Sequence, residues 1–169
     1  MSSTVGTTAV RHTTIPSPLG ALTVVRGDDG ITGLYFPRHW YRPDPTTFGP
    51  RTDAGFDAVA AQLAEYFGGA RRGFDLALRP TGSAGQLRVW ALIAQVPYGS
   101  TTTYGQLAGQ LGDGTGAQEV GAAVGRNPLS ILVPCHRVLG SGGRLTGYAG
   151  GLARKRALLD LEQGTPGLW

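Results

Sequence analysis

The stretch SAGQLRVWALIAQVPYGSTTTYGQLAGQLGDGTGAQEVGAAVGR, residues 83–126, decides the fold. It repeats one spacing three times: Ser83 with Gln86, Thr103 with Gln106, and Thr115 with Gln118. A hydroxyl at a helix N-cap accepts from the N–H three residues on, and a Gln there reaches back to the cap. The pattern therefore predicts three helix starts. The first helix runs through Leu87, Trp90, Ala91 and Ala94 and ends before Pro97, the second covers residues 104–111, and the third extends to about Arg126. The last two are short and joined by Gly112-Asp113-Gly114, the outline of a helix-turn-helix; an ordinary pair of packed helices fits the same spacing.

Upstream the period changes. Residues 1–12 are rich in Ser, Thr and Gly and read as a loose tail. Strands are predicted at 20–25 and 31–36 around the turn Gly27-Asp28-Asp29-Gly30, with a loop from His39 to Arg51. Asp53 precedes a helix that places Phe56, Val59, Leu63 and Phe67 on one face and stops at Gly68-Gly69. Residues 74–78 alternate as one more strand would. The fold class is α/β: a small N-terminal α/β domain over 1–80, and a mainly helical C-terminal domain over 81–169 carrying the helix-turn-helix, with the boundary at residues 80–83.

Composition limits the function classes. The chain has 169 residues, 41% hydrophobic and 15% charged, which argues against a disordered chain or a coiled coil. Its 28 glycines follow no period, which excludes collagen. No apolar run approaches the ~20 residues that span a bilayer. The first residues lack the apolar core of a secretory signal, so the expected compartment is the cytoplasm. One cysteine permits neither an intrachain disulfide nor a multi-cysteine zinc site. The net charge is +4. From Val120 to Leu159 six basic residues (Arg126, Arg137, Arg144, Arg154, Lys155, Arg156) occur with no acidic ones, the footprint of a polyanion binder or of a solvated basic face.

The candidate chemistry centres on Cys135. A thiol reacts as thiolate, and neighbouring His or Arg lowers its pKa; His136 and Arg137 follow directly. The apolar run Ile131-Leu132-Val133 breaks at Pro134, where a buried segment can reach a pocket. Glu162 on the closing helix can orient an imidazole, completing a nucleophile, base and orienter. Neighbouring side chains diverge, so a water would have to bridge Cys135 and His136.

Pro134-Cys135-His136-Arg137-Val138, with Asn127-Pro128 before it and Gly147-Tyr148-Ala149-Gly150-Gly151-Leu152 after it, resembles the O6-alkylguanine-DNA alkyltransferase family. Val96-Pro97-Tyr98-Gly99 and Tyr104-Gly105-Gln106-Leu107-Ala108 resemble the start of its helix-turn-helix. The resemblance is dense from Trp90 to Glu162 and weaker over 12–80. It implies a ribonuclease-H-like N-terminal domain and a suicide repair protein, a methylated-DNA–protein-cysteine methyltransferase. Such a protein acts as a monomer on double-stranded DNA carrying O6-alkylguanine, or O4-alkylthymine, approached from the minor groove with the damaged base flipped out. Cys135 would take the alkyl group irreversibly. His136 would accept the thiol proton, Glu162 would hold the imidazolium, Tyr104 would donate to the leaving guanine, and Lys155 would assist. Asn127 would tie the recognition helix to the cysteine segment, Val138, Tyr148 and Gly150 would line the pocket, and Arg126 and Arg137 would meet DNA. The chemistry requires no cofactor and no metal.

The resemblance also implies an arginine nine residues before Asn127, inserted into the base stack; this chain has Gln118 there, followed by Glu119. Gly85 stands near an expected aromatic core residue. Three alternatives follow: the same cysteine chemistry on a free base or small alkylated molecule, a non-catalytic lesion-binding or regulatory protein, and a Cys–His hydrolase.

Overall fold

Strand β1 (Arg11–Ile15) begins inside the stretch read as a tail. The computed structural model describes residues 9–164, so the remainder of that stretch, residues 1–8, lies outside the described residues. β1 pairs antiparallel with β2 (Leu22–Arg26), which pairs antiparallel with β3 (Ile31–Tyr35) through a bulge at Val25/Arg26. The sequence reading missed β1 because its inward positions, Thr13 and Ile15, include only one apolar residue. Burial of Thr13 is compensated by a hydrogen bond from its hydroxyl to Asp53, 2.8 Å.

The outer edge of β3 is covered by two other segments. Ile31 N–H donates to Ala77 O and Leu34 N–H to Pro128 O, each at 2.8 Å. The predicted strand at 74–78 is not one: it makes only an isolated bridge, Ile31 with Leu78. The Gln62 side chain takes up both backbone groups of Asp75, at 2.9 and 3.1 Å, in place of a ladder. Helix α1 (Asp57–Phe67) buries Val59, Leu63, Tyr66 and Phe67.

The helical part follows its caps. Ser83 and Gln86 form a capping box at α2 (Ala84–Ile93), and Thr103 and Gln106 form another at α3 (Tyr104–Leu111). α3 ends at Gly112, whose φ of 64° is the left-handed conformation that glycine adopts at least cost. The third predicted cap is displaced by one residue. The Thr115 hydroxyl is captured by Asp113, and α4 (Ala117–Gly125) starts from Gly116, whose N–H donates to Glu119 at 3.2 Å. α3 and α4 pack together as the helix-turn-helix, and Trp90 Nε1 of α2 donates to Ala123 O of α4 at 2.8 Å. Gly85 is exposed with open space around it, so no core position is left short there. A two-residue parallel pair, β4 (Thr102–Thr103) with β5 (Val138–Leu139), connects the start of α3 to the segment after Cys135. Helix α5 (Leu152–Glu162) closes the fold. One apolar cluster runs from Leu34, Phe36, Leu63 and Tyr66 through Trp90 and Ile131 to Cys135 and Leu158, placing the thiol at the meeting point of sheet and helices.

Candidate active site

After α4 the chain is clamped by Asn127. Its Nδ2 donates to Val133 O at 2.9 Å and its Oδ1 accepts from Leu129 N–H at 3.0 Å. The enclosed loop holds buried Ile131 at φ 71°, a costly conformation for a β-branched residue that persists only where its surroundings impose it. Cys135 opens the next 3-10 turn, Cys135–Arg137, and is buried. Burial pushes its thiol pKa up, while the Asn127 amide, the Lys155 charge, its own backbone and the Tyr148 hydroxyl act in the opposite direction.

His136 is fully buried. Its Nε2 lies 2.7 Å from Glu162 Oε2, and its Nδ1 has no hydrogen-bond partner among the described residues. The arrangement assigns the ring proton to Nε2, facing the carboxylate, and leaves the Nδ1 lone pair bare. Burial lowers the His136 pKa against the pull of Glu162, so the free ring is neutral near pH 7. Glu162 also accepts from Arg137, Nε to Oε1 at 2.7 Å and Nη2 to Oε2 at 2.9 Å, and from Tyr66 Oη at 2.6 Å. Burial pushes the Glu162 carboxyl up, but these donors outweigh it and hold the pKa at about 2.

Lys155 is fully buried, with Nζ donating to Thr146 O at 2.6 Å and Gly147 O at 3.1 Å, and burial lowers its pKa to about 8. The Tyr148 and Ser130 hydroxyls are buried without a partner of hydrogen-bonding geometry among the described residues. Tyr104 is half-buried: Thr146 Oγ1 donates to its hydroxyl at 3.5 Å, and its ring lies against Gly121 of α4. Val138 is buried in β5. Gly150 sits under the site, where a Cβ would run into the Phe36 ring. Gln118 and Arg126 lie exposed at opposite ends of α4. Cys135, His136, Glu162, Asn127, Lys155 and Tyr148 therefore converge, while Tyr104 stands at the edge.

The chain matches the family model for the 6-O-methylguanine DNA methyltransferase DNA-binding domain over residues 84–164, and the model for the ribonuclease-like domain over 10–80. It is 44% identical over 154 residues to the Mycobacterium tuberculosis methylated-DNA–protein-cysteine methyltransferase, covering 91% of this chain and 93% of that one. The Haemophilus influenzae protein of the same name is 38% identical, covering 92% and 88%. The Mycobacterium tuberculosis OGT structure in complex with DNA superposes with a TM-score of 0.84 at 42% identity, over 91% of this chain and 93% of that one. The chain belongs to the 6-O-methylguanine DNA methyltransferase family.

Two residues differ from the sequence reading. Arg137, expected to meet DNA, is buried: it makes a bidentate pair with Glu162 and donates through Nη1 to Val96 O at 2.6 Å. A planar fork matching a carboxylate is held by that carboxylate, not left free for phosphate. Tyr66 was missed altogether. Its signal was a hydroxyl on an otherwise apolar buried helix face, since such a group needs a partner. The basic stretch after Val120 is also thinner than it reads, because Lys155 and Arg137 face inward and Arg154 donates to Leu19 O, Pro37 O and Gly150 O. Arg126, Arg144 and Arg156 remain exposed.

Proposed function

We infer that the protein removes the alkyl group from O6-alkylguanine in duplex DNA and retains it on Cys135. The observation that carries the reading is the pairing of a buried lone thiol with an imidazole anchored on one nitrogen and bare on the other. The damaged guanine is flipped into the pocket. The Cys135 proton passes through a water to His136 Nδ1, and the imidazolium is stabilised by Glu162, itself held by Arg137 and Tyr66. The thiolate attacks the alkyl carbon in line. The S–C bond forms as the C–O6 bond breaks, and the electron pair stays on the guanine. Tyr104 at the rim donates to the leaving base, Lys155 fixes the Thr146–Gly147 backbone and favours the thiolate, and Tyr148 and Val138 border the alkyl group. Asn127 sets the cysteine turn relative to α4. Gln118 leads α4 towards DNA without a cation, and Arg126 meets the backbone. Residues 1–80 and 81–169 form the two domains, acting as one monomer in the cytoplasm.

The thioether is permanent, so each molecule acts once. Cys135→Ser is expected to bind the lesion duplex but to accept no alkyl group. Retained transfer by that variant would remove Cys135 from the mechanism. The match to the family across both halves favours duplex DNA over a small alkylated molecule, and the intact Cys135 favours transfer over lesion binding alone.

A further inference from the structure

Of the four large hydrophobic side chains that stand exposed among the described residues, two are adjacent: Trp40, 54% exposed, and Tyr41, 60% exposed. Isolated exposed apolar residues are ordinary, but an aromatic pair held outward by a strained backbone needs a reason. The loop is anchored, not loose. His39 is buried between Tyr35 and Phe36, its Nδ1 accepting from Phe36 N–H at 3.2 Å, and Trp40 N–H donates to Ala149 O at 2.9 Å. On either side of Trp40 and His39, Arg38 and Tyr41 adopt left-handed φ values of 58° and 57°. The Trp40 ring reaches Gly147 of the active-site loop, and the Tyr41 ring lies against Gly125 with the Arg126 guanidinium 3.8 Å above its centre.

The loop thus spans the end of α4 and the loop before α5, the latter leading into Tyr148 beside Cys135. It also carries charge that α4 lacks. α4 itself has no basic residue, Arg88 is paired with Asp113, and Arg137 and Lys155 face inward. Arg38, Arg42 and Arg126 are exposed and make no ion pair among the described residues. The nearby acids are engaged, Asp44 with Thr46 N–H and Glu119 with Gly116 N–H.

We propose that residues 38–42 together with Arg126 form a second DNA contact beside the lesion pocket, with Trp40 and Tyr41 against sugar and base and the three guanidinium groups on phosphates. The inference rests on the duplex-DNA reading above. Its test is a salt series of binding to a duplex containing O6-methylguanine, read by fluorescence anisotropy, with Trp40→Ala and with Arg38→Gln/Arg42→Gln, the latter altering only exposed side chains. Trp40→Ala is expected to bind about tenfold more weakly. The double arginine variant is expected to lower the slope of log affinity against log salt by about 1–2. Wild-type affinity and slope in both variants would overturn the proposal while leaving the duplex reading intact. Loss of self-association instead of DNA affinity, seen by sedimentation, would overturn it in favour of a second copy on this surface. A wild-type protein that neither binds the duplex nor becomes alkylated would remove the reading on which the proposal stands.

Discussion

Glu162 is the residue on which the site balances, because it takes hydrogen bonds from three side chains, Tyr66 on α1 and His136 and Arg137 on the turn after Cys135. Its carboxyl sits at about 2 in the fold against an ordinary value of 4.5. A lowered carboxyl pKa contributes stability that is complete above pH 4.5 and is lost as pH falls towards 2. Glu162→Gln leaves Arg137 buried without its counter-charge and should cost about 3–5 kcal/mol at pH 7. Urea unfolding at several pH values should show the gap to wild type narrowing below pH 4.5; a constant gap would contradict the ion-pair account. Tyr66 acts through this carboxylate as a positioning residue. Its hydrogen bond weakens the basicity of Glu162 towards His136, so Tyr66→Phe should raise the His136 pKa and move the acidic limb of the transfer rate to higher pH. The stability cost should be only about 1–2 kcal/mol. An unmoved pH profile with lowered stability would make Tyr66 merely structural.

At the scale of elements, α4 carries the consequence of its displaced cap. Glu119 looks in sequence like a carboxylate turned towards phosphate, yet its Oε1 accepts from Gly116 N–H and so starts the helix. Glu119→Ala should destabilise the protein by about 1 kcal/mol, measurable in thermal unfolding. Gln118→Arg made alone keeps that cap and should tighten duplex binding by about 1–3 kcal/mol. Unchanged affinity would show that the start of α4 does not face DNA. The two true capping boxes were legible because hydroxyl and Gln act within four residues. The third misled because Asp113, two residues before Thr115, captures its hydroxyl. Cys135, His136 and Glu162 were legible from residue chemistry and family resemblance. Tyr66 was not, since its partner lies 96 residues away, and the inward turn of Arg137 depends on a helix that only folding brings near. β1 escaped because its buried Thr13 owes its place to Asp53, a long-range hydrogen bond that local alternation does not encode.

For the molecule as a whole, the N-terminal sheet and α1 form part of the active site's supporting wall. Tyr66 reaches Glu162, Leu34 N–H holds Pro128 O beside the Asn127 clamp, and Phe36 packs beneath Gly150. Gly150→Ala should therefore press a methyl into Phe36 and cost about 1–3 kcal/mol, with slower transfer, because that wall also supports Tyr148. A fully active variant of wild-type stability would show that the contact yields freely. On the proposed function, this whole assembly makes one buried thiol an alkyl acceptor for a base in duplex DNA. Intact-protein mass after incubation with a duplex carrying O6-methylguanine, alongside the free methylated base, tests it most directly. One added methyl, located at Cys135, is expected from the duplex. No mass change from the duplex, or transfer from the free base alone, would contradict it.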